Sequence, residues 1–259
     1  MTKEELFGTL RDKLYEIAKE HDLFNSNITV NCRALTAEEA IGITERRDYP
    51  IIDGHDVMMQ AEFDGGIGQT FTNKPSVFAG KIEDVFDFDL VNNDYDRAIF
   101  VAILNAITRR YGICDRSIHC KNEGPEECSK KAMVYLKETY GTAPEFLWKK
   151  YPGHGVFRNI GYQPALLEGL SNNFSEVRIL DLNPELIGKT RYGVTILDGD
   201  KDYKDTVLDW ADLVLCTGST VGNGSVVNFL DIGKEVLFYG TTGAGAAALM
   251  GWKRLCYAD

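Results

Sequence analysis

The feature that most constrains this chain is a rhythm that begins at Gly155. Short continuous apolar runs alternate with amphipathic stretches: VFRNIGY, then QPALLEGLSNN; EVRILDLN; GVTILDG; DTVLDWA; DLVLCTGS, then GSVVNFLDIG; EVLFYGTTG, then AGAAALMG; and KRLCYA. Strands that lack polar alternation are buried on both faces, which a parallel sheet covered by helices provides. Residues 153–259 are therefore expected to form a Rossmann-like α/β domain. In such a sheet the helix N-termini gather outside the carboxyl ends of the strands, with free N–H groups and positive dipole ends turned toward one crevice. A small polar or anionic ligand is expected there.

The first half reads differently. MTKEELFGTLRDKLYEIAKE predicts a helix over residues 3–20, with Thr2 and Glu5 spaced as a capping box and Leu6, Leu10, Leu14 and Ile17 on one stripe. The β-like runs ITVNCRAL, EAIGITE and VMMQAEF, with turn signals at Asp53-Gly54 and Gly65-Gly66, predict a small antiparallel meander. DYDRAIFVAILNAITRRYG predicts a helix over residues 94–112 that is apolar on nearly every side and so buried. A further helix is expected over residues 126–140, and Pro144 and Pro152 punctuate the stretch after it. The expected organisation is an α+β domain over 1–112, a connecting segment containing cysteines over 113–152, and the α/β domain over 153–259.

Composition narrows the function classes. Over 259 residues, 44% are hydrophobic and 26% charged, which suits a folded chain, and the formal net charge of −11 disfavours a nucleic-acid partner. No apolar run approaches the roughly 18 residues that a membrane span needs, and the opening stretch is an amphipathic helix rather than a signal peptide. A cytoplasmic location with no membrane partner is expected, as is a small-molecule or metal-chelate ligand, with homo-oligomer formation left open.

The strand-end turns read Gly161-Tyr162-Gln163-Pro164, Asp181-Leu182-Asn183-Pro184, Asp198-Gly199-Asp200, Thr217-Gly218-Ser219-Thr220 and Gly240-Thr241-Thr242-Gly243. Gly161 and Gly218 would let a ligand approach the backbone, and Ser219 and Thr220 place hydroxyls ahead of a helix expected to start near Asn223 or Gly224. The same residues serve equally as strand-to-helix turns with Ser/Thr caps. Asp181 stands where a carboxylate often takes ribose hydroxyls, yet GxGxxG is missing from the first turn, which argues against ordinary NAD binding. An S-adenosylmethionine-dependent methyltransferase stays open as an alternative. GTTGAGAAAL is either a phosphate-binding turn or a tight helix–sheet contact, and Tyr162 either stacks on a ligand or covers the sheet edge.

Asn105 sits in the apolar run AIFVAILNAIT, where a buried amide needs a hydrogen-bond partner, either a neighbouring backbone group or a ligand. Cys114, His119, Cys120 and Cys128 form a soft ligand set suited to a transition metal such as zinc or iron. Their spacing is awkward, since adjacent His119 and Cys120 do not easily face one ion, and incidental cysteines are the alternative. Cys32, Cys216 and Cys256 read as small core residues. His55 and His154 read as turn residues.

Three stretches, RAIFVAILNAIT, NIGYQPALLEGL and DLVLCTGSTVGNGSVVNFL with its following strand EVLFYG, resemble the bacterial and archaeal family of heavy-metal chelation proteins, long carried as a domain of unknown function. The resemblance covers nearly the whole chain. It implies an N-terminal domain like that of enolase, then a Rossmann-like domain, with Asn105, Tyr162 and the TGST-x2-NG loop facing an interdomain cleft. It also implies a role in handling metals or in making a chelating, pterin-like or flavin-like compound, by condensation or hydrolysis if there is turnover. On that view Asn105 and Asp181 would be catalytic. Gly161, Tyr162, Gln163, Asn183, Thr217, Gly218, Ser219, Thr220, Asn223, Gly240 and Thr241 would hold the ligand. A metal carrier or sensor using the Cys114/His119/Cys120/Cys128 set is the alternative. One departure is visible: the family places a proline soon after the glycine ending EVLFYG, where this chain has TTGAGAAA.

Overall fold

The N-terminal helix forms as its capping box predicts. In the computed structural model, which describes residues 1–25, 29–52, 56–141 and 157–258 (157–160 by backbone alone), α1 spans Lys3–Glu20. The Thr2 hydroxyl accepts from Glu5 N at 3.2 Å, and the Glu5 carboxylate accepts from Thr2 N at 2.7 Å. Leu6, Leu10, Leu14 and Ile17 are all buried. Strands β1 (Val30–Ala34), β2 (Val57–Phe63), β3 (Gly66–Thr72) and β4 (Phe78–Gly80) make an antiparallel sheet in the order β3-β2-β1-β4. The EAIGITE run departs from the expected strand. Its first half is taken by α2 (Ala37–Ile41), started by a second capping box between Thr36 and Glu39, so local side-chain bonding outweighs the β-branched composition.

The helix expected over 94–112 is α3 (Asp94–Arg110), capped at its start by the Asn93 side chain. Residues 97–108 are buried without a break. One side of α3 lies on β2 and β3 so closely that a Cβ on Gly68 would stand 2.2 Å from Ala106 N and 2.3 Å from Ala102 O. Only glycine permits that approach.

The second half has the expected alternation, preceded by α4 (Gly124–Tyr140). Its elements are β5 (Phe157–Ile160), α5 (Pro164–Asn173), β6 (Val177–Asp181), β7 (Thr190–Arg191), β8 (Val194–Asp198), β9 (Leu213–Thr217), α6 (Ser219–Asn223), β10 (Glu235–Tyr239), α7 (Ala244–Met250) and β11 (Arg254–Leu255). The sheet order is β11-β10-β9-β5-β6-β8-β7, parallel except for β7 against β8. From β5 the chain walks outward through β6 and β8, then returns to lay β9, β10 and β11 on the other side. That is the Rossmann order, with its switch point between β5 and β9.

Two details differ from expectation. DTVLDWA is a helical turn over Lys204–Leu208 rather than a strand, because Leu213–Thr217 fills the place beside β5. The helix after β9 starts at Ser219, earlier than Asn223, and stops at Gly224 before a short 3-10 turn over Ser225–Phe229.

Alternate residues of the central strands serve two faces. Leu213, Leu215 and Leu237 pack under α4 and α5, with Met133, Leu136, Leu166 and Leu170. Val214, Cys216 and Phe238 join a cluster that runs on into Leu6, Phe7, Ile99 and Ile103 of α1 and α3. The far side of α3 also meets α6 and α7, which accounts for a helix apolar all round. Each large side chain so buried contributes roughly 1.5–3 kcal/mol. Among the described residues no helix is long and apolar enough to cross a membrane. The Asp53-Gly54 turn, His55, Pro144, Pro152 and His154 lie outside the described residues.

Candidate functional site

At the carboxyl ends of β5 and β6 a carboxylate ties two turns together. Asp181 closes β6, and its two oxygens accept from Tyr162 N and Asn183 N, each at 2.7 Å. Burial raises the Asp181 pKa against the opposing pull of these backbone N–H groups. Gln163 caps α5 by accepting from Leu166 N, and Asn183 Oδ1 accepts from Glu185 N at 3.0 Å. Gly161 N donates to Leu180 O at 2.9 Å, and its carbonyl accepts the Tyr239 hydroxyl at 2.8 Å.

These turns open onto a cavity of about 390 Å³. Tyr162, Asn183, Glu185 and Leu186 line it from the β5 and β6 turns, Lys189 and Arg191 from β7 and its approach, and Arg47, Asp48 and Pro50 from the first half of the chain. It therefore lies between the two halves of the chain, and of Asn105, Tyr162 and the TGST loop only Tyr162 lines it. Tyr162 is 8% exposed, and its hydroxyl is buried with no hydrogen-bond partner among the described residues. Burial, then the nearby Asp48 charge, raises its pKa, with Arg191 opposing.

Arg46 seats the segment that crosses to this cleft. It donates to Asp48 Oδ1 at 3.1 Å, to Glu168 Oε2 at 2.8 Å on α5, and to the Tyr192 hydroxyl, which itself donates to Asp48. Glu126 of α4 lies 3.6 Å from Arg46 and accepts the Tyr49 hydroxyl at 2.9 Å. Burial works against an ionised Asp48, but the bonds from Arg46 and Tyr192 hold its pKa below the usual carboxylate value. Arg47, Lys189 and Arg191 make no ion pair among the described residues. The cleft thus pairs three such cations with one carboxylate held ionised and a second, Glu185, at its rim.

The turns after β9 and β10 are closed. Asn105 is 0% exposed, and its amide Nδ2 donates to Gln69 O at 2.9 Å, Thr242 O at 2.9 Å and Thr241 O at 3.3 Å, while Oδ1 accepts from Gly245 N at 2.7 Å. The Thr242 hydroxyl accepts from Phe71 N at 2.9 Å. Gly218 presses on the next turn, where a Cβ would sit 2.4 Å from Gly243 N. The Thr217 hydroxyl bonds Ser219, and Thr220 donates to Thr217 O at 2.7 Å. Gly240 O accepts from Arg254. Asn223 points the other way: its carbonyl accepts from the buried Arg97, and its side chain holds Ser225.

Of the expected ligand residues, Tyr162 and Asn183 line the cleft, while Gly161, Gln163 and Asp181 shape its turns. Thr217, Gly218, Ser219, Thr220, Asn223, Gly240 and Thr241 do not line it. Asn105 has the backbone partners that were the alternative to a ligand. The four-residue metal set is not assembled: among the described residues no three of His, Cys, Asp and Glu are placed to hold an ion. Cys114 is turned to Thr108 and Asn105 O, and His119 Nδ1 bonds Cys120 O at 2.6 Å, its pKa lowered by burial. Arg47, Asp48, Lys189 and Arg191 are cleft residues that sequence reasoning missed. A basic pair in the ELIGKTRYG stretch was the available signal, hidden because neither residue stands directly after a long apolar run.

The chain is similar in part to known proteins. The chain is 30% identical over 110 residues to the uncharacterized protein YyaQ of Bacillus subtilis (strain 168), a match covering 38% of this chain and 86% of the relative. A protein of unknown function from the DUF364 family of Pyrococcus horikoshii is 15% identical, with a TM-score of 0.48, over 92% of this chain and 80% of that one. Another from Desulfitobacterium hafniense DCB-2 is 14% identical, with a TM-score of 0.41, over 75% of this chain and 71% of that one. The sequence model of the DUF364 family, described as "Putative heavy-metal chelation", matches residues 159–247, which run from β5 through most of α7, and it is over this stretch that the chain resembles the family.

Proposed function

We propose that this protein binds a small polyanionic chelator, free or carrying a metal ion, in the cleft between Tyr162, Asn183 and Arg191 on one side and Arg47 and Asp48 on the other. The observation that carries this reading is the buried Tyr162 hydroxyl, without a hydrogen-bond partner among the described residues, in a cleft lined also by three cations that make no ion pair among them. A buried hydroxyl without a partner costs about 1–3 kcal/mol, which a ligand oxygen would recover. Cations around a concave, partly desolvated wall attract anions more strongly than the same charges spread over open surface. The family description, heavy-metal chelation, supports a ligand of this class.

Asp48 is a carboxylate that lines the cleft, and its ionised form is placed to partner a metal carried by the ligand. Asp181 is occupied in holding the two turns. Condensation or hydrolysis within the cleft would draw on Asp48 and the Tyr162 phenol. Native mass spectrometry of protein purified without chelators is the test. A retained small molecule, lost in Lys189→Ala/Arg191→Ala, is the expected result. Retention undiminished in that variant places the ligand elsewhere.

A further inference from the structure

Cys120, Cys128 and Cys256 come together beside the start of α4, outside the cleft. Cys120 Sγ lies 3.8 Å from where a Cβ on Gly124 would stand, one turn before Cys128 on α4, and Cys256 directly precedes the residue that bonds Cys128. Tyr257 N donates to Cys128 Sγ at 3.3 Å, which fixes the last segment of the chain against α4. All three are free thiols, Cys120 and Cys128 half-buried and Cys256 4% exposed. They arrive from three separate segments: the loop before α4, α4 itself, and the stretch after β11.

We propose that Cys128 is the centre of a reversible disulfide site, in which a hydroperoxide joins it to Cys120 and Cys256 stands as its exchange partner. The Cys120 thiolate attacks the peroxide, the O–O bond breaks with release of water or an alcohol, and Cys120 becomes a sulfenic acid. The Cys128 thiol then attacks that sulfur, the S–S bond forms, and water leaves. The two thiols supply the two electrons that the peroxide takes. Attack by Cys256 on the Cys128 sulfur frees Cys120 again with no net oxidation.

The bond from Cys120 and burial raise the Cys128 thiol, and the bond from Cys128 and burial raise the Cys256 thiol. Both stay protonated near neutral pH, and Cys120, half-buried on the loop ahead of α4, is the thiol assigned to meet the peroxide. The loop holding Cys120 also anchors the cleft's other wall. Asn122 N donates to Ile41 O at 2.7 Å, and Asn122 Oδ1 accepts from Ile43 N at 3.0 Å, just ahead of Arg46, Arg47 and Asp48. A cross-link between that loop and α4 therefore bears on the segment that forms the cleft.

The experiment treats the full native chain with hydrogen peroxide, alkylates the remaining thiols after unfolding, and maps the peptides. The expected result is one disulfide containing Cys128, with Cys120 or Cys256 as its partner, reversed by dithiothreitol, kept in Cys114→Ser and lost in Cys128→Ser. Should Cys128→Ser fail to fold, the wild-type map decides alone. All six thiols remaining alkylatable, a disulfide that omits Cys128, or Cys120 passing to the sulfonic acid without a cross-link would each overturn the proposal.

Discussion

Two groups of turns stand at the same end of one parallel sheet and have opposite fates. The turns after β9 and β10 carry the densest run of hydroxyls and glycines in the chain, and they are spent on the fold: Asn105 stitches them to β3, and Gly218 packs on Gly243. The turns after β5 and β6 look plainer, yet they open onto the cleft, with the Tyr162 hydroxyl left over. What separates them is the antiparallel unit. It lays α3 and β3 over the first pair and reaches the second only with a short segment around Arg46. A polar strand-end turn binds a ligand only if no other part of the chain has already taken its hydrogen bonds.

The sharpest way to break this contrast is at Asn105. Asn105→Ala leaves three carbonyls and one N–H without their partner in a dry interior, and a loss of about 3–5 kcal/mol in chemical unfolding is expected. A loss below roughly 1 kcal/mol would show that the junction is hydrated and the turns not closed. Arg97 is the next strongest. It is fully buried and donates to Leu90 O, Val91 O, Gly222 O and Asn223 O, so Arg97→Met should cost about 2–4 kcal/mol by the same measurement.

How much of this the sequence held depends on whether the deciding interaction is local. The capping boxes at Thr2 and Thr36 lie within four residues, and α1 could be placed from its stripe; α2 was missed because its box competes with a β-like run of similar length. The Rossmann alternation and the buried α3 were legible because burial on every side leaves a continuous apolar run. Which turns would be covered was not legible, since it depends on Asn105 meeting residues more than a hundred positions away. The cations of the cleft were hidden for a related reason. Lys189 and Arg191 come from an antiparallel edge strand and its approach and Arg47 from a distant loop, so no spacing joins them.

Weaker perturbations act on the open side. The Asp48 pKa is depressed in the fold, so its contribution is present above the unfolded carboxylate value, about 3.9, and is lost as pH falls through the lower folded value. Asp48 is partly exposed, so the effect is screened to roughly 1 kcal/mol or less. Asp48→Asn should flatten the acid limb of the stability–pH curve by that amount. Equal steepness in both proteins would place the acid sensitivity in other carboxylates. Tyr162→Phe should act in the opposite direction and stabilise the free protein by about 1 kcal/mol, because it removes a buried hydroxyl that has no partner among the described residues.

The most direct measurement is a calorimetric titration with citrate, alone and with zinc, of wild type, Arg191→Ala and Ser219→Ala. With the β5–β6 side as the binding face, Arg191→Ala weakens binding about tenfold or more, equivalent to ~1.4 kcal/mol, while Ser219→Ala binds as wild type. Loss of binding in Ser219→Ala with Arg191→Ala unaffected would put the ligand on the side the fold has closed.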